Sequence, residues 1–133
     1  MALLLNIDVP DLDAGATFFA EAFGLRPARR FGDDVVELVG WPIPLYLLRK
    51  AAGTRGAGGD LRRYERHWTP LHPDVVVTDM DAALDRAVAA GAVVESRPSA
   101  VPYGRIAMLA DPFGNGFCLI EFNEKGYDAL TDG

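Results

Sequence analysis

The sequence predicts an α+β fold of two βαβββ modules whose curved sheets surround a cleft. Three observations carry this expectation. The hexapeptide Val9-Pro-Asp-Leu-Asp-Ala14 returns as Val77-Thr-Asp-Met-Asp-Ala82, 68 positions later. An alternating apolar run precedes each copy. A helix-like stretch follows each, ending in Ala22-Phe23-Gly24 or Ala89-Ala90-Gly91, with short strand-like runs beyond. A repeat at this spacing is one supersecondary unit used twice. Two such units can face each other, and a ligand would sit between them.

The elements follow in order. Leu3, Leu5, Ile7 and Val9 alternate with Leu4, Asn6 and Asp8, which predicts a strand over 2–9 with one apolar face. Asp11 is placed to cap a helix over 12–23, and Leu12, Ala16, Phe19 and Phe23 fall on one side of it. Gly24 suits its C-terminal stop. Strands are expected over 26–31, 34–39 and 43–49, joined by Gly32-Asp33 and Gly40-Trp41-Pro42. The second set is a strand over 71–77 and a helix over 80–90 capped by Asp79, with Met80, Leu84 and Val88 as its buried stripe. Gly91 stops the helix, and strands follow over 93–97, 104–110 and 116–122. Module one thus covers 1–49, a linker 50–67, module two 68–123 and a tail 124–133.

Composition narrows the function. The chain has 133 residues, half of them hydrophobic, the profile of one globular domain. A net charge of −6 argues against general nucleic-acid binding. The charge is uneven, because residues 49–66 hold six basic side chains against Asp60 and Glu65. That Gly-rich stretch reads as a flexible, solvated linker or as a mobile lid that steers an anionic ligand. The single cysteine, Cys118, forms no internal disulfide. The start has no basic n-region, no apolar run reaches membrane-spanning length, and a cytoplasmic location is expected. There is no Gly-x-Ser-x-Gly, phosphate-binding loop or His-Glu-x-x-His.

The βαβββ-linker-βαβββ order, closed by Asp111-Pro-Phe-Gly-Asn-Gly-Phe-Cys-Leu-Ile-Glu-Phe122, resembles the vicinal oxygen chelate superfamily. That group includes glyoxalase I, extradiol dioxygenases, fosfomycin-modifying enzymes and bleomycin-sequestering proteins. The resemblance covers roughly residues 2–123 and implies the glyoxalase/bleomycin resistance-type fold. Metal-dependent members hold one divalent ion with a residue from the first and last strands of each module. The matching positions here are Leu4, Tyr46, His72 and Cys118. Leu has no donor atom and Tyr is an uncommon ligand, so neither a metal site nor any other cofactor is expected. Glu121, three residues past Cys118, is expected on the opposite face of its strand.

The candidate ligand-binding residues are Asn6, Trp41, Tyr46, Trp68, His72, Asp74, Tyr103, Arg105 and Cys118. Asn6 and Asp74 are equivalent under the repeat and share faces with Leu4 and His72. Each either contacts a ligand or is satisfied by a neighbour. His72 is a hydrogen-bonding group of the cavity or a partly buried strand histidine. Cys118 reads as a small buried side chain rather than a nucleophile, with His72 as its one activator. Trp41, Tyr46, Trp68 and Tyr103 would line an aromatic pocket, or else pack in the core or a dimer interface. Arg105 would meet an anionic group or form a surface ion pair. The resemblance implies metal-independent binding or sequestration of a small apolar or aromatic molecule, as in bleomycin resistance-type proteins, by a homodimer. The enzymatic alternative is a metal-dependent glyoxalase-like lyase, isomerase or dioxygenase. A third reading is an interaction module whose cleft is filled by Leu4, Tyr46 and Ile120.

Overall fold

The computed structural model describes residues 1–131 and divides into two compact units, Met1–Glu65 and a second beginning at Arg66. The first unit runs β1 (Leu5–Val9), α1 (Leu12–Phe23), β2 (Arg26–Phe31), β3 (Val35–Val39) and β4 (Leu45–Arg49). Its sheet has the order β1-β4-β3-β2, with β1 parallel to β4 and the other pairs antiparallel. The second unit runs β5 (Asp74–Val76), α2 (Met80–Ala90), β6 (Val93–Val101), β7 (Gly104–Ala110) and β8 (Gly116–Phe122). Its order, β5-β8-β7-β6, repeats that of the first, again with one parallel pair.

Both helices begin and end for the reasons their sequences suggest. The Asp11 carboxylate accepts the Ala14 N–H at 2.8 Å, and Asp79 accepts that of Ala82 at 3.1 Å. Each cap satisfies an amide that has no partner in the first turn. Gly24 and Gly91 take positive φ at the two C-termini, where a side chain would be strained. In α1 the buried side is Leu12, Gly15, Ala16, Phe18, Phe19 and Ala22. Gly15 lets the helix lie close on the sheet, since a Cβ there would stand 3.0 Å from Leu47 and 3.2 Å from Val9. Strand alternation then separates two faces. Val9, Val36, Leu38, Leu45 and Leu47 are buried on the helix side. Asn6, Glu37 and Tyr46, which pair in register, share the other side.

Several elements differ from expectation. The first strand starts at Leu5 rather than residue 2, and Leu3 and Leu4 stand exposed before it. The fifth strand is three residues long, not the seven expected over 71–77, because Pro70 and Pro73 have no N–H to give a ladder. His72 therefore lies just ahead of the strand. The sixth strand runs on to Val101 through two irregular pairings, and Pro98 is tolerated because this strand is the sheet edge. In α2 the buried residues are Met80 and Ala87, while Val88 is exposed, so the stripe is turned from the one expected. Residues 50–65 form a hydrogen-bonded loop. An Arg55–Leu61 bridge closes it, Arg62 pairs with Asp8 at 2.9 Å, and the Tyr64 hydroxyl donates to the Lys50 carbonyl. Among the described residues no helix is long and apolar enough to cross a membrane.

Candidate functional site

In the second unit, the sheet face away from α2 gathers the residues with chemistry. Asp74 and Cys118 pair across β5 and β8, so both side chains rise from the same face. His72 Nε2 stands 3.3 Å from Asp74 Oδ1. Ligating atoms of His72, Asp74 and Cys118 all lie within 4.8 Å of one another. Asp74 couples to both of its neighbours in this group. Burial, then the charge and hydrogen bond of Asp74, push the Cys118 thiol up to about 11. A thiol held this way is a weak nucleophile at neutral pH. Burial, helped by Asp74, thus works against the reactivity that a Cys–His pair would need.

Beside this group lies a cavity of about 160 Å³, lined by Trp68, Thr69, His72, Met108, Phe117 and Cys118. Trp68 is 80% exposed and Met108 49%. Arg66 and Glu95 close one edge through a two-bond ion pair, with Nε–Oε2 at 2.6 Å. Two backbone features build that edge. The β6–β7 pairing slips between Val94 and Ser96, a bulge that re-aims Glu95. Gly116 leaves room for Arg66, whose guanidinium nitrogen sits 2.7 Å from where a Cβ would be.

The first unit places a different network on the corresponding face. Glu37, only 7% exposed, accepts from Arg29 Nε at 2.8 Å, Arg29 Nη2 at 2.6 Å and the Tyr46 hydroxyl at 2.7 Å. These bonds hold its carboxyl down at about 2, Arg29 foremost and Tyr46 next. Donation to Glu37 raises the Tyr46 hydroxyl above its ordinary range. Asn6 is exposed and pairs in register with Tyr46.

The family's metal positions do not fit together as a ligand set. Leu4 offers no donor atom and lies outside the strand. The Tyr46 hydroxyl is committed to a carboxylate. Glu121 turns to the helix side, as expected from its register, and accepts the Met80 N–H at 2.6 Å.

Trp41, Arg105 and Tyr103 stand apart from this cavity. Trp41 packs on α1, its ring 5.4 Å from Phe23 and 6.5 Å from Phe19, and so stands on the helix side half-buried. Arg105 pairs in register with Glu121 and reaches Asp81 of α2 at 3.4 Å, again on the helix side. Both follow from strand parity and turn direction. Tyr103 joins Phe122 and Tyr127 in an aromatic cluster with ring centres 4.8–6.2 Å apart. Sequence reasoning missed Arg29, Glu37, Arg66, Glu95 and Met108. A signal did exist for the two glutamates, since each directly follows a Val-Val pair, at 35–37 and 93–95. An acid inside an apolar strand needs a partner, and both have an arginine.

Comparison with known proteins fits this architecture. The family described as a glyoxalase-like domain matches residues 5–120. The chain belongs to this glyoxalase-like family, within the vicinal oxygen chelate superfamily. The glyoxalase-like domain is 38% identical over 125 residues to the anthracycline biosynthesis protein DauV of Streptomyces sp. (strain C5), covering 92% of this chain and 42% of that one. It is 35% identical over 128 residues to the anthracycline biosynthesis protein DnrV of Streptomyces peucetius, covering 92% and 41%. The chain thus spans about two fifths of the length of these relatives. A crystal structure of a glyoxalase/bleomycin resistance protein/dioxygenase family enzyme from Burkholderia phytofirmans PsJN superposes with a TM-score of 0.69. The identity is 18%, covering 90% of this chain and 97% of the other. The two βαβββ units are the glyoxalase/bleomycin resistance-type fold.

Proposed function

We propose that this glyoxalase-like domain binds a small planar aromatic molecule without a metal ion or other cofactor, and so acts by sequestration or presentation of that molecule. The observation that carries the reading is the cavity beside His72, Asp74 and Cys118, where an exposed Trp68 and Met108 meet a few fixed polar groups. Apolar walls with a small number of convergent polar atoms are the usual makeup of a small-molecule site. At about 160 Å³ the cavity is below the usual range, roughly 300–1,000 Å³, so it would take one ring or edge of a larger molecule. Trp68 would stack on that ring, and His72 and Asp74 would hydrogen-bond its oxygens. The relatives named for anthracycline biosynthesis point to an oxygenated polycycle as the ligand class. A thiol kept protonated and a metal set with a leucine in it both favour binding over chemistry.

A metal-dependent lyase, isomerase or dioxygenase is the second reading. It is favoured by the convergence of three ligating atoms from His72, Asp74 and Cys118. We further propose a homodimer, since Leu3, Leu4, Leu71 and Val76 are large apolar side chains left exposed. The binding reading is tested by equilibrium dialysis with quinizarin, a dihydroxyanthraquinone, in chelator. Saturable binding that weakens about tenfold in Trp68→Ala and in His72→Ala is expected. No saturable binding by the unaltered protein would rule it out.

A further inference from the structure

The first unit carries an ion pair whose cost calls for a reason. Glu37 is an ionised carboxylate, 7% exposed, in the middle of the strand Val-Val-Glu-Leu-Val. A well-packed apolar residue at such a place is often as stable or more so. The network built around Glu37 fixes two neighbours. The β2–β3 register slips between Pro27 and Arg30, and this bulge turns Arg29 onto Glu37 while Arg30 goes to the helix side and Asp13. The Tyr46 hydroxyl is locked to the same carboxylate, which sets the plane of its ring. Phe31 lies nearly parallel to that ring, at 26° and 6.4 Å between centres. The Arg29 guanidinium stands 5.3 Å over Phe31. Phe31 is 46% exposed and the Arg29 side chain 67%, so both side chains are partly open to solvent.

We propose that Phe31, Tyr46 and Arg29 form a second aromatic-binding shelf, on the first unit, for a flat molecule that carries ring oxygens. Phe31 supplies the stacking face. Arg29 spends two donors on Glu37, and its remaining N–H groups face the ligand's oxygens. Glu37 is a positioning residue that touches no ligand and holds the guanidinium and phenol in place. This rests on the reading that the domain binds oxygenated polycycles, and it adds the surface that selects for the oxygens.

The test is equilibrium dialysis of the full chain with quinizarin and with anthracene, which has the rings and no oxygens. With the second-unit cavity disabled by Trp68→Ala, Phe31→Ala should weaken the remaining binding of both by about five- to tenfold, and Phe31→Trp should restore both. Arg29→Gln should weaken quinizarin by a larger factor than anthracene. Glu37→Gln should show the same preference, a selectivity that a general loss of stability would not produce. Unchanged quinizarin affinity in both Phe31→Ala and Arg29→Gln overturns the shelf and leaves the second-unit cavity intact, as judged by Trp68→Ala. No quinizarin binding by the unaltered protein overturns the shelf and the underlying reading together.

Discussion

Two carboxylates, Glu37 and Asp74, set the character of the two sheet faces in opposite ways. Glu37 lies well below its ordinary range, at about 2 against 4.5. A carboxyl lowered on folding stabilises the protein above its unfolded value and loses that contribution as pH falls through the folded one. The melting temperature of the unaltered protein should therefore fall more steeply than that of Glu37→Gln between pH 4.5 and 2. Equal slopes in thermal scans would contradict the network. Asp74 instead helps keep a thiol protonated. Asp74→Asn removes a negative charge from beside Cys118, so alkylation at pH 8 should speed up severalfold. A rate no higher than that of the unaltered protein, by mass spectrometry, would mean burial alone controls the thiol. A third carboxylate, Asp111, is buried and bonds the amides of Phe113 and Asn115 in the turn before β8. Burial raises its own carboxyl. Asp111→Ala strands those amides and should cost about 1–3 kcal/mol in denaturant unfolding. A loss under ~0.5 kcal/mol would show that the turn does not depend on it.

At the level of elements, helices were the most legible part of the sequence. Asp11, Asp79, Gly24 and Gly91 mark their ends because capping is chemistry local to a few residues. Asp11→Ala and Asp79→Ala should each lower stability by about 1 kcal/mol. Strand ends were less legible, since Pro70 and Pro73 shorten β5 and leave His72 outside it. The bulges beside Arg29 and Glu95 were invisible to periodicity. A slip of one residue depends on the partner strand, and it brings Arg29 and Glu95 onto their faces. Trp41 and Arg105 take the other roles the sequence offered them, ring packing against α1 and an ion pair with Asp81. Gly104 shows how tightly register is held at the β6–β7 turn. With φ +144°, a Cβ there would fall 1.9 Å from the Glu121 carbonyl. Gly104→Ala should thus separate β7 from β8 locally, read as faster amide exchange at Phe122 and Asn123.

Across the whole molecule, the repeat at 68 positions announced the duplicated unit, and the two sheets have the same strand order. The closing turn of the second unit carried the family. The duplication has not kept the two faces alike. Asn6 and Tyr46 stand in register on one sheet, where Asp74 and Cys118 stand on the other. The first set serves an arginine–glutamate–tyrosine network, the second a cavity with a suppressed thiol. His72 and Cys118 were legible because family positions point to them. Their coupling through Asp74 was not, because side-chain convergence depends on how β5 meets β8. This division supports a binding protein that works by stacking and hydrogen bonds. The most direct test is quinizarin affinity measured with elemental analysis of the same sample, before chelation, after it, and after return of zinc, nickel, manganese or iron. The account predicts an unchanged affinity and no stoichiometric metal at any stage. Near-stoichiometric metal that is lost in His72→Ala, with affinity or turnover that follows it, would contradict the account and put the enzymatic reading in its place.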